Sequence, residues 1–139
     1  KFALHKEDWL VIQKTYDFLK QFLVLTKETE GDESTLEQVI IAMDYLRVHY
    51  DEATIKHAGN TPFLTALQSS RYVYESWYAI NDRTPAYQSA ILLHPSYRAA
   101  YVDHHWPDDW VDKAVKAARS LYKTQYYKAP LPAPALSSP

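Results

Sequence analysis

The sequence predicts an all-α domain, an irregular bundle of four or five helices. Three observations carry that expectation. Apolar residues recur at three- and four-residue steps along most of the chain, the period of a helix buried on one face. Glycine occurs only twice in 139 residues, at Gly31 and Gly59, too rarely for the tight hairpins of a β fold. Helix-start residues stand at the breaks between periodic stretches: Ser34, Thr61-Pro62, and Pro107 followed by aspartates.

The first helix spans Glu7 to about Glu30. Trp9, Ile12, Tyr16, Leu19, Leu23 and Thr26 form its apolar stripe, and Phe18, Phe22 and Leu25 widen it, so neighbours are expected on two sides. Gly31 sits where a C-terminal cap belongs. Ser34 with Glu37 reads as a capping box opening the second helix, which ends near Ala58-Gly59. Its main face is Leu36, Val39, Ile40, Met43, Leu46 and Tyr50, with Ile41, Tyr45 and Val48 opposite. Pro62 opens a third helix through Phe63, Leu67, Ser70, Tyr74 and Trp77 to Ile80. Tyr87 to Leu93 is a short apolar segment that fits a helix or a buried strand, with helix favoured; His94-Pro95 stops it, and Ser96 is the expected cap of another helix through about Val102. The last helix starts after Trp106-Pro107. Asp108, Asp109 and Asp112 complement its dipole, and Val111, Ala114, Val115, Ala118, Tyr122 and Tyr126 form its buried face.

The composition, 47% hydrophobic and 23% charged, is that of one globular domain. The domain is expected over residues 1–128, with 129–139 as an extended Pro-rich tail or linker. The absence of cysteine excludes disulfides, thiol nucleophiles and Cys-ligated zinc. Two isolated glycines exclude G-x-G-x-x-G and Walker-type phosphate loops. A net charge of -2 lacks the global basic footprint of a nucleic-acid-binding domain but leaves local stripes open. No apolar run is long enough to cross a membrane, and no signal peptide is evident, so an intracellular location is expected. A chain starting at Lys1 without Met reads as a piece of a longer protein.

Four clusters invite chemical readings. Asp103, His104, His105 and Asp108, with Asp109 beside them, are metal-ligand types. The adjacent histidines diverge on any regular element, and the aspartates have a helix-start explanation. His49 and His57, two helical turns apart near Asp44 and Glu52, suggest a proton shuttle but lack a nucleophile. Lys113, Lys116, Arg119 and Lys123 form a stripe that Tyr126-Tyr127-Lys128 extends along a DNA backbone. Spacing alone favours the wet side of an amphipathic helix there. Tyr72, Tyr74, Trp77 and Tyr78 suit base stacking, but their spacing fits a core better. Ser69-Ser70 and Ser137-Ser138 have no nucleophile-elbow context.

Three ordered blocks carry a resemblance over roughly residues 5–127. They are Trp9 with Leu19-Lys20-Gln21-Phe22, Thr26 and Glu30-Gly31; then Thr35-Leu36-Glu37-Gln38-Val39; then Ala90-Ile91-Leu92-Leu93-His94-Pro95-Ser96-Tyr97-Arg98 with Tyr101 and Trp106. This order resembles the hAT-superfamily DNA transposases, especially their fungal form. There a W…L.pF…T..l.g block precedes an A.iL.P.yK-like block. The resemblance implies the helical insertion region and its C-terminal edge, set in a parent whose RNase H-like core holds Mg2+ on three acids. Two of those acids lie upstream in the family and the third in an S..ER.FS motif. No such motif occurs here, so no residue is carried over as catalytic and no cofactor is expected in this chain. His94 also departs from the acid common before that proline. The implied partners are DNA and the remainder of the transposase, in the nucleus, with self-association left open. The resemblance brings the DNA reading of the basic stripe level with the plainer one. Two further functions remain: a protein-interaction module of a domesticated transposase-derived gene, and a small metal-dependent enzyme using the 103–109 cluster.

Overall fold

The computed structural model describes residues 3–128; the Pro-rich stretch 129–139 lies outside them. Six α-helices follow one another: α1 (Lys6–Thr29), α2 (Leu36–Lys56), α3 (Thr61–Asp82), α4 (Pro85–Leu93), α5 (Arg98–His105) and α6 (Asp108–Leu121). A single π-helical turn, Tyr122–Tyr126, continues α6. No strand occurs among the described residues. The chain is all-α, and the two short segments flanking His94-Pro95 bring the helix number to six rather than four or five.

The helix ends follow their capping chemistry. The His5 backbone N–H donates to the Asp8 carboxylate at 2.8 Å and opens α1. Thr35, not Ser34, caps α2: its N–H donates to Gln38 Oε1 at 3.2 Å. Glu37, the expected capping-box partner, instead accepts from Thr35 Oγ1 at 2.5 Å. Asn60 caps α3 by accepting from the Phe63 N–H at 3.3 Å, and Pro62 occupies the first turn. Gly31 and Gly59 do follow α1 and α2, but neither has a positive φ, so neither is the left-handed cap its position suggested. The positive φ among the non-glycine residues falls on Arg98, at 49°. A residue with a Cβ held there costs about 1–2 kcal/mol. The turn is closed by the Arg98 N–H donating to the His94 carbonyl at 3.1 Å.

Burial divides between two apolar clusters. Phe18, Leu46, Tyr50, Ala53, Leu67, Tyr74 and Tyr78 join α1, α2 and α3. Ile40, Ile91, Val102, Trp106 and Ala114 join α2 to α4, α5 and α6. Trp110 packs against both. α2 therefore runs through the middle, touching α1, α3 and α4, and α4 forms the second hub. Ile91 and Val102 are fully enclosed, each contributing about 1.5–3 kcal/mol of apolar burial.

Three faces differ from the periodic reading. On α1 the widening residues Phe18, Phe22 and Leu25 build the core, while Trp9, Ile12, Tyr16, Leu19 and Leu23 point to solvent. α1 packs on α2, with Phe18 also reaching Phe63 of α3, and its second apolar side is left exposed among the described residues. On α3, Tyr74 and Tyr78 turn inward, but Tyr72 and Trp77 are 74% and 64% exposed. Beyond α6, Tyr122 and Tyr126 are exposed rather than buried, because the π turn packs only against α6 itself.

Candidate functional site

The most buried polar group with a full set of partners is Asp44, 5% exposed in the middle of α2. Its carboxylate accepts from the Tyr78 hydroxyl at 2.5 Å, from Trp106 Nε1 at 2.8 Å and from the Tyr101 hydroxyl at 3.0 Å. One acid thus ties α2 to α3, to the middle of α5 and to Trp106 just beyond it. Burial, reinforced by the negative charge of Asp44, pushes the Tyr74 and Tyr101 phenols above the ordinary tyrosine range, which keeps them neutral. Arg47, one turn along α2, donates to the His105 carbonyl at 3.4 Å. Its Nε is buried without a hydrogen-bond partner among the described residues. The adjoining cavity, lined by Ile40, Tyr78, Gln88, Trp106, Trp110 and Lys113, has a volume near 130 Å³. The network braces α2 against α3 and against the α5 segment through buried hydrogen bonds. The signal for Asp44 was present in the sequence: a lone acid one turn beyond Ile40, on an otherwise apolar helix face.

The predicted metal cluster does not converge. Asp103, His104, His105 and Asp108 are all exposed. The His105 ring stacks on Tyr101 at 4.5 Å and stands nearly perpendicular to His104 at 4.8 Å. Among the described residues no group of three or more histidines or acids is placed to hold a metal ion. The proton-shuttle pair is likewise built into packing. His49 lies flat on Phe18, ring centroids 4.8 Å apart, with its Nε2 at 3.0 Å from the Phe18 carbonyl. His57 meets Phe63 edge-on at 4.7 Å. Burial and the charges of Lys56 and Lys14 lower its pKa below the ordinary histidine value.

The basic stripe is on the surface: Lys113, Lys116, Arg119, Lys123 and Lys128 are all exposed. At about 100° per residue, Asp109 and Asp112 fall on the same face as Lys113, Lys116 and Arg119. Lys113 is paired with Asp109 at 3.1 Å. Among the described residues no acid lies within ion-pair distance of Lys116, Arg119, Lys123 or Lys128. The stripe therefore has an acidic head and a basic tail. That tail runs into the exposed tyrosines 122, 126 and 127.

An uncovered apolar row lies along α1. Trp9 and Tyr16 are 58% and 59% exposed, and Ile12, Leu19 and Leu23 lie between and beyond them. Beside this row, a groove of about 430 Å³ separates α1 from α3, floored by Phe18, Phe22, Tyr50 and Phe63. Monomeric proteins rarely expose contiguous apolar patches beyond a few hundred Å² unless something binds them.

No protein-family model, curated protein or solved structure matches this chain. Fold and surfaces together define an all-α helical domain with a buried carboxylate brace and uncovered apolar residues along α1 and α3. No helix of the described residues is long and apolar enough to cross a membrane.

Proposed function

We propose that this chain is a non-catalytic helical module of a hAT-like DNA transposase, or of a protein derived from one, and that it serves assembly rather than chemistry. The outer face of α1 is the observation that supports this reading. An amphipathic helix normally buries its apolar stripe; α1 carries a second set of apolar residues on a surface that the described residues leave open. The exposed basic tail of α6 supports DNA contact as an auxiliary role, made of backbone contacts without sequence readout. A domesticated descendant that keeps the scaffold for protein binding would use the same α1 face.

The test is made on the purified chain. At dilutions where the chain is monomeric, an apolar fluorescent dye should brighten on the wild-type protein and lose most of that signal on a Trp9→Glu, Leu23→Glu variant with unchanged far-UV circular dichroism. A chain that binds no dye and remains monomeric at every concentration refutes the assembly reading. Upstream catalytic aspartates and a downstream S..ER.FS motif in the same gene would separate a working transposase from a domesticated one.

A further inference from the structure

We infer that the partner of the α1 outer face is a second copy of this chain, paired antiparallel across a two-fold axis level with positions 17 and 18. The inference rests on the assembly reading and names its occupant. Four features of α1 carry it.

The first is period. Trp9, Ile12, Tyr16, Leu19, Leu23 and Thr26 advance in strict three-four steps, a 3.5-residue repeat that keeps one seam facing a partner helix. The core-facing Phe18, Phe22 and Leu25 lie beside the seam, rotated about a third of a turn around the helix, so the seam is additional to the packing on α2. The second is shape. In the antiparallel register Trp9 lies over Thr26 of the second copy, Ile12 over Leu23, and Tyr16 over Leu19. Each bulky side chain then meets an equal or smaller one. A parallel pair would instead stack Trp9 on Trp9 and Tyr16 on Tyr16.

The third is charge. Lys20 and Lys27 are exposed along one flank of the seam. A two-fold axis perpendicular to the helices sets that flank against the same flank of the second copy. Lys27 then reaches the Trp9 ring and Lys20 the Tyr16 ring, cation over aromatic face. The parallel arrangement gives the lysines no such partner. The fourth is area. Five large side chains, each about half exposed, supply about 500–600 Å² per copy. The lysine stems raise the total to about 1,200–1,500 Å², within the range of specific interfaces. α1 is also held helical by α2 before any partner arrives, so pairing does not have to fold it.

The experiment uses the full chain, which has no cysteine of its own. Sedimentation velocity over a wide dilution series should show twice the monomer mass. Tyr16→Glu with Leu19→Glu, both at exposed positions, should weaken dimerisation at least about tenfold while circular dichroism is unchanged. Ile12→Cys protein mixed with Leu23→Cys protein should oxidise to the mixed disulfide. Like-with-like disulfides overturn the antiparallel register. A monomer that still binds the apolar dye overturns the second copy as occupant and leaves the assembly reading standing. A monomer that binds anionic lipid vesicles through this face overturns it in favour of a membrane surface. A monomer that binds neither dye nor vesicles overturns both readings.

Discussion

Replacing Asp44 by alanine removes the acceptor of three hydrogen bonds at once. Tyr78 and Trp106 are buried, so neither donor recovers a partner from bulk water without local opening. Each stranded donor costs about 1–3 kcal/mol. Tyr101 is only half-buried, and its hydroxyl can turn toward solvent, so its share is small. Against this, alanine removes the desolvation of a buried carboxylate, which refunds part of the loss. The expected net cost is about 3–5 kcal/mol, a large fraction of the 5–15 kcal/mol that holds a domain together. Asp44→Asn should cost less, about 1–2 kcal/mol. One amide oxygen can still serve Tyr101 and Trp106, and the amide N–H can donate to a reversed Tyr78 hydroxyl. Urea unfolding followed by tryptophan fluorescence measures both. The sharper readout is the double-mutant cycle: Tyr78→Phe should destabilise the wild type more than it destabilises Asp44→Ala, in which the hydrogen bond between the two is already gone. A loss below about 1 kcal/mol in Asp44→Ala with an unchanged denaturant slope, or a Tyr78→Phe effect identical in both backgrounds, refutes the brace.

Three further outcomes are expected. Ile91→Ala opens a cavity among Ile40, Val102, Trp106 and Ala114 and should lower stability by about 2–5 kcal/mol in the same urea assay. His57 has a depressed pKa in the folded state, chiefly through burial, so the unfolded chain binds its proton more readily. Its contribution to stability is complete above about 6.5 and fades as pH falls below that value, and His57→Gln should flatten the fall in melting temperature between neutral and mildly acidic pH. On a nonspecific duplex, binding should weaken steeply with salt, and Lys116→Ala, Arg119→Ala and Lys123→Ala should each reduce the salt slope by about one contact, whereas Lys113→Ala should change little because Asp109 already neutralises it. Equal effects from Lys113 and Lys116 would contradict that division of the stripe.

The all-α architecture was legible because helical period, proline positions and helix-start chemistry are local properties, and local properties decided most element boundaries. Thr35 displaced Ser34 as a cap by one residue, a shift that depends on where the backbone leaves the helix rather than on residue type. What the sequence could not supply was assignment of faces. α1 carries two apolar sides, and periodicity ranks them only by regularity. The more regular one, Trp9 to Leu23, was read as the main stripe. The structure puts the less regular aromatic set, Phe18 and Phe22, against Tyr50 and Phe63. Irregular aromatics suit a core whose neighbours cross at assorted positions; a strict 3.5-residue seam suits one long partner lying alongside.

The same distinction explains why the chemically suggestive residues resolved as they did. His49, His57 and Asp44 share one helix and were grouped by spacing, but each answers to a different neighbour. His49 stacks on α1, His57 meets the first turn of α3, and Asp44 faces the tyrosine and tryptophan donors of α3 and α5. Three polar groups used to join four helices cannot also converge on one reacting atom. The remaining polar cluster, Asp103 to Asp109, straddles the bend between α5 and α6, where His105 is drawn onto Tyr101 and the aspartates serve the next helix start. The surface of the described residues carries the outer apolar face of α1, the exposed Tyr72, Val73 and Trp77 of α3, and the basic end of α6.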